Sequence, residues 1–217
     1  MSLTIQPGER VALVGTNGSG KTTLLRAMLG LVRFEGRVVL GGADVAREPE
    51  IALRSAAYIP QIAPPLDAPV VEVVRAQAAL RGRPVDAVVR RARALGLDLD
   101  ACAKKRFRDL SGGMKQKLLA AMALAAEAPI LACDEPTANL DGDAREAFFA
   151  ALDARPRSSI TVLCSHRVEE VERLVDRVIE LAEGRIVRDA PCAVTFASRE
   201  RDRAEDSGCR ALRRVAS

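Results

Sequence analysis

Residues 15–23 read GTNGSGKTT. Glycines at 15, 18 and 20 let the backbone turn tightly enough for successive N–H groups to face inward, and a lysine and two hydroxyls follow at once. The spacing fits G-x-x-x-x-G-K-[ST], a loop that holds nucleotide phosphates when a strand leads into it and a helix leads out. Both conditions are met here by RVALV before it and TTLLRAML after it. The backbone of Gly15, Thr16, Asn17, Gly18, Ser19 and Gly20 would wrap the phosphates, aided by the positive end of the helix dipole. Lys21 would reach the β- and γ-phosphates. Thr22, followed by Thr23 in the same first turn, would offer its hydroxyl to Mg²⁺. Nucleotide binding follows from these residues; hydrolysis does not.

Hydrolysis needs carboxylates, and PILACDEPT at 129–137 supplies them. A short apolar strand carries Asp134 to its end, where it can hold a hydrated Mg²⁺. Glu135, one residue further, can orient or deprotonate an attacking water. His166, the single histidine, closes SITVLCSH at the tip of another strand and could hydrogen-bond a γ-phosphate. Gln61 closes AYIPQ in the same way and could ligate the metal, or its water, through the amide oxygen.

A second glycine-rich helix start lies at LSGGMKQK, residues 110–117. Ser111 is a natural N-cap, and Gly112 and Gly113 let a ligand approach the free N–H groups of the first turn. The chain's own triphosphate is already provided for by Gly15–Thr22. One economical solution has Ser111–Gly113 gripping the γ-phosphate held by another subunit, so that two chains sandwich two nucleotides about a two-fold axis.

The surrounding elements alternate between strand and helix, which predicts an α/β fold with a mostly parallel sheet. LTI and RVALV read as two strands around a Pro-Gly turn, GRVVLGG as a strand, DGDAREAFFAALDA and RVEEVERLVDR as helices, and VIELAEGRIV as a hairpin through Glu183-Gly184. The predicted organisation is a nucleotide-binding core over 1–61, an inserted Ala- and Arg-rich helical subdomain over 62–127, a second part of the core over 128–189, and a charged tail over 190–217. Aromatic residues make up 3% of the chain and net charge is +4. That lacks the stacking platform and basic stripe of a nucleic-acid binder. Five cysteines without a C-x-x-C pair, two of them inside apolar runs (Cys133 and Cys164), suit a reduced cytosolic chain. The start MSLTIQPGER is unlike a signal peptide, and the apolar run after Lys117 is too short to span a bilayer, so a membrane role requires a partner.

Taken in order, these motifs resemble those of the nucleotide-binding subunit of ATP-binding cassette (ABC) transporters over about residues 1–188. They are a Walker A loop at Gly15–Thr22, a Q-loop glutamine at Gln61, a signature at Leu110–Gly113, Walker B ending at Asp134, the catalytic Glu135, a D-loop ANLD with Asp141, and the switch His166. The resemblance implies a P-loop NTPase core with an inserted helical subdomain and ATP with Mg²⁺ as the ligands. It implies Ser111–Gly113 acting in trans, Asp141 coupling two sites across a dimer, and docking of the helical region, with IAPPLDAPV nearby, on an integral membrane permease. Location would be cytoplasmic, on the inner face of the membrane. The short helical region and SGGMKQKL are more similar to exporters of the ABC-2 type than to sugar or metal importers.

The family's adenine-stacking aromatic has no counterpart, since only residues 1–14 precede Gly15 and none is aromatic. Three explanations stay open: a start placed too far downstream, a shortened chain, or a loosely held base. Stacking on a base is worth about 1–3 kcal/mol, so its loss could weaken ATP binding roughly ten- to a hundredfold. The alternative function is a soluble ABC ATPase of an assembly machine, such as iron–sulphur cluster biogenesis, without a permease. A DNA-repair branch would need coiled coils or zinc modules between the motifs. A non-hydrolysing regulatory cassette would not need Glu135 and His166, and a P-loop kinase would not need Ser111–Gly113.

Overall fold

The computed structural model describes residues 1–165 and 172–192. Its sheet is built from β1 (Arg10–Val14), β4 (Ala56–Ile59), β5 (Ile130–Asp134), β6 (Ile160–Cys164), β7 (Arg177–Ala182) and β8 (Arg185–Pro191), in the order β4-β5-β6-β1-β7-β8. The first five are mutually parallel and β8 is antiparallel to β7. The expected mostly parallel α/β architecture is what forms. A two-stranded ribbon, β2 (Val39–Leu40) with β3 (Ala43–Asp44), stands apart.

Side chains alternate across a strand, so a sheet buried on both faces needs apolar residues at nearly every position. RVALV, ILACD and ITVLC satisfy this. Ala12, Val14, Leu131, Cys133 and Leu163 face one core, while Val11, Leu13, Ala132, Val162 and Cys164 face the other. The second core is closed by α1 (Lys21–Met28), α2 (Pro49–Arg54) and the ribbon. The first is closed by α3 (Val70–Leu80), α4 (Val85–Ala94), α5 (Leu99–Cys102), α6 (Gly112–Ala125) and α7 (Gly142–Asp153). From Leu118 to Ala125 every residue of α6 is buried, the pattern of a core helix rather than of an amphipathic one. The helical block and one face of the sheet therefore share a continuous core.

Three expected elements come out differently. LTI forms no strand. Leu3 and Ile5 pack on the second core outside any strand, and β1 cannot pair with them, since β6 and β7 occupy both its edges. GRVVLGG shrinks to Val39–Leu40. Of RVEEVERLVDR, residues 167–171 lie outside the described residues; 172–174 are a turn, and Arg177 already opens β7. Glu183 and Gly184, at φ 48° and 74°, make the predicted hairpin turn. β8 continues to Pro191, and Cys192 is buried with its N–H donating to the Asp176 carbonyl 2.7 Å away. Cys102, Cys133, Cys164 and Cys192 are free, buried thiols. Among the described residues no helix is long and apolar enough to cross a membrane.

Candidate nucleotide site

The parallel strands all finish at one edge, and their loops meet there. After β1 the chain turns at Gly15 with φ 143°; a Cβ there would lie 2.3 Å from the Leu181 carbonyl oxygen. Only glycine fits that approach. The loop is held on its far side by the hairpin: the Gly184 N–H donates to the Ser19 carbonyl at 3.0 Å. Gly20, in the left-handed region, then starts α1 without any side-chain cap. The first-turn N–H groups of α1 are thus left for whatever enters the loop. The Lys21 Nζ donates to the carbonyls of Gly15 (2.7 Å) and Thr16 (2.9 Å), which fold the side chain back over the loop.

Asp134 reaches the same place from β5. It is fully buried, and Thr22 Oγ1 donates to its Oδ1 at 2.9 Å. The Tyr58 hydroxyl stands 3.5 Å from the other carboxylate oxygen. Burial pushes the Asp134 carboxyl above its ordinary value; the Thr22 hydrogen bond and the charge of Arg26 oppose that rise. Tyr58 also holds the Arg26 guanidinium further into its charged form. Glu135 follows with φ 49°, unusual for a residue with a side chain, and its N–H is fixed by the Cys164 carbonyl at 3.0 Å. Strain of this kind costs about 1–3 kcal/mol and tends to be kept where function requires it.

A cavity of about 330 Å³ lies between these parts, lined by Asn17, Lys21, Thr22, Gln61, Asp134 and Glu135 together with neighbouring loop residues. The structure thus gathers the phosphate loop, the glutamine after β4 and both carboxylates around one space. Its donor set toward a cation (Thr22 hydroxyl, Asp134 carboxylate, Gln61 amide oxygen) is all oxygen, which suits a hard divalent ion such as Mg²⁺. His166 lies outside the described residues; β6, the strand leading to it, runs between β1 and β5.

Ser111, Gly112 and Gly113 do not line this cavity. Ser111 caps α6, its Oγ accepting from the Met114 N–H at 3.2 Å, and it and Gly112 are exposed. Asp141 caps α7 through the Ala144 N–H at 2.9 Å and pairs with Lys117 Nζ at 2.6 Å. Lys117 holds the Asp141 carboxyl below the usual carboxylate range, with the Ala144 N–H assisting. The buried Gln116 donates from Nε2 to the Pro136 carbonyl at 3.1 Å. Two side chains of α6 are therefore tied to the segment that follows Glu135. Sequence reasoning passed over Tyr58, Gln116 and Lys117. Only the position of Tyr58 one strand from Asp134 could have signalled a role, and that adjacency is tertiary.

A parallel sheet whose central strand feeds a glycine loop and a lysine-led helix, with a buried aspartate two strands away, defines a P-loop nucleotide-binding protein. The ABC transporter family model matches residues 1–138, and the chain belongs to that family. An ABC transporter ATP-binding protein of Streptomyces coelicolor is 36% identical over 198 residues, covering 89% of this chain and 35% of that protein. Nod factor export ATP-binding protein I of Paraburkholderia xenovorans is 34% identical over 203 residues, covering 89% of this chain and 66% of its own length. The chain thus spans between a third and two thirds of these curated relatives. Among solved structures, an ATP-binding subunit of an ABC transporter superposes with a TM-score of 0.78 at 28% identity, covering 87% of this chain and 81% of the other.

Proposed function

We propose that this chain is the ATP-hydrolysing subunit of an ABC transporter and that it works as one of a pair, driving a separate membrane permease. The observation that carries this reading is the convergence of Lys21, Thr22, Gln61, Asp134 and Glu135 on one cavity, while Ser111–Gly113 present an exposed helix start elsewhere. A γ-phosphate would draw Lys21 Nζ off the Gly15 and Thr16 carbonyls. The loop N–H groups and the uncapped start of α1 would fix the β-phosphate. Thr22 and Asp134, with Gln61, would hold Mg²⁺, which supplies charge neutralisation across the β- and γ-phosphates. Glu135 would take the proton of the attacking water, and its constrained backbone keeps the carboxylate at the cavity. The Ser111 N-terminus of a second subunit would close the site. The relative named for Nod factor export supports export as the direction of transport, and the working location would be the inner face of the membrane.

The test is Glu135→Gln, studied by light scattering with and without Mg-ATP alongside steady-state hydrolysis. Turnover should fall by about 10²-fold or more, the weight of one general base. The mass should double only when Mg-ATP is present. A protein that binds ATP yet stays monomeric would sink the paired arrangement; one that hydrolyses at the parent rate would sink the role of Glu135.

A further inference from the structure

Arg155 follows α7 and is only 9% exposed. Its Nη2 donates to the carbonyls of Ala128 at 3.0 Å and Ile160 at 3.5 Å. Those two bonds fasten the loop entering β5 to the start of β6 and account for one nitrogen. Nε is buried without a hydrogen-bond partner. Among the described residues no carboxylate pairs with this guanidinium. A buried charge without a counter-ion is expensive, and burial accordingly drives the Arg155 pKa down.

The neighbourhood adds positive charge instead of balancing it. Arg10 and Arg91 both oppose the charge on Arg155. Arg10 is neutralised by Asp153 at 2.6 Å. Arg91, on α4, has no ion-pair partner among the described residues and lines the same space as Arg155. That space is a cavity of about 470 Å³ at the N-terminal ends of β5 and β6, the sheet edge opposite Asp134 and Cys164. Its one lining carboxylate, Glu127, is taken by Arg83. Leu124, Ala128 and Ala151 form an apolar wall beside the two arginines, and Ser158 sits at the rim.

We propose that this cavity is a binding site for a small phosphate- or carboxylate-bearing molecule, its anionic head held between Arg155 and Arg91 and its body against Leu124, Ala128 and Ala151. Arginine forks suit both kinds of oxyanion, and the cavity exceeds the size of a bare phosphate, which leaves room for an organic body. The site is separate from the nucleotide loop and joined to it through the five residues of β5, so a ligand here would brace the strand that carries Asp134.

The full chain carrying Lys21→Ala, which removes the main phosphate-loop cation, is titrated calorimetrically with inorganic phosphate, phenyl phosphate and benzoate. Phenyl phosphate should saturate one site per chain and bind more tightly than inorganic phosphate. Adding Arg91→Ala, a partly exposed position whose loss should leave the fold intact, should weaken it about tenfold or more, the scale of one charge-assisted hydrogen bond. Preference for benzoate would sustain the site with a carboxylate ligand, whereas preference for inorganic phosphate over both aromatic probes would overturn the apolar contact the proposal requires. Absence of saturable binding for all three at millimolar concentration, or binding indifferent to Arg91→Ala, would overturn it. Arg155→Lys serves as a second variant: where circular dichroism shows it folded, it should lose the same binding.

Discussion

The glycine-rich starts of α1 and α6 are built differently. α1 starts after Gly20 with no side-chain cap, a lysine and two hydroxyls in its first turn, and a cavity in front of it. α6 starts at Ser111, whose own hydroxyl already satisfies the Met114 N–H, and it opens onto the surface. An uncapped start leaves all its donors for an external anion; a capped start has given one away. The first helix is built to be completed by a ligand within its own chain. The second is capped by its own chain and leaves Ser111 and Gly112 exposed at the surface.

The glycines give the sharpest way to break this contrast. Gly15→Ala should destabilise the chain by about 3 kcal/mol or more, since the new Cβ meets a carbonyl at 2.3 Å in a conformation that side chains avoid. Gly112→Ala meets nothing within 4 Å. It should leave the isolated chain as stable or up to about 1 kcal/mol more stable, a helix-propensity gain, while lowering ATPase activity in the pair. Urea unfolding read against turnover separates the two effects. Equal destabilisation at both positions would erase the distinction.

Ser111→Ala sharpens it at smaller scale. Loss of the cap should cost about 1 kcal/mol of stability, and trans closure predicts an added loss of hydrolysis with nucleotide binding by the monomer unchanged. A binding defect in the monomer would place Ser111 in its own chain's site.

The smallest effect is expected at Asp141, which ties α7 to the signature helix through Lys117. Its folded pKa is depressed, so its stabilisation is present above the unfolded carboxylate value of about 3.9 and is lost as pH falls through the lower folded value. Asp141→Asn should therefore lower Tm slightly at pH 7, and the gap should close as pH falls below about 4. No gap at any pH would assign Asp141 to capping alone, because asparagine caps nearly as well.

The parts of the site legible in the sequence are those written in consecutive residues. The loop from Gly15 to Thr23, Asp134 with Glu135 at a strand end, and the Ser111 cap all carry their chemistry in local spacing, and the structure forms each locally as read. Gln61 was placed at a strand end and does line the cavity. The near-continuous apolar runs RVALV, ILACD and ITVLC fit a sheet buried on both faces. Partnerships between distant residues were not legible. Nothing in the spacing of residues 116 and 117 points to Pro136 or Asp141, and nothing around residue 58 points to Asp134. LTI has the alternation of a strand, but both edges of its neighbour β1 are already taken. That occupancy is decided by β6 and β7, well over a hundred residues later in the chain.

The position of β1 also has a bearing on synthesis. Its register partners are Thr161–Cys164 on one side and Arg177–Glu180 on the other, and the loop that follows it is stapled by Gly184. On the ribosome, β1 emerges long before either of its neighbours and must wait for them. Closing so long a loop is slow, and throughout that wait an apolar, unpaired strand is open to other nascent chains. A fragment ending before β6 would carry the whole phosphate motif in its sequence and still lack both of the walls that shape it.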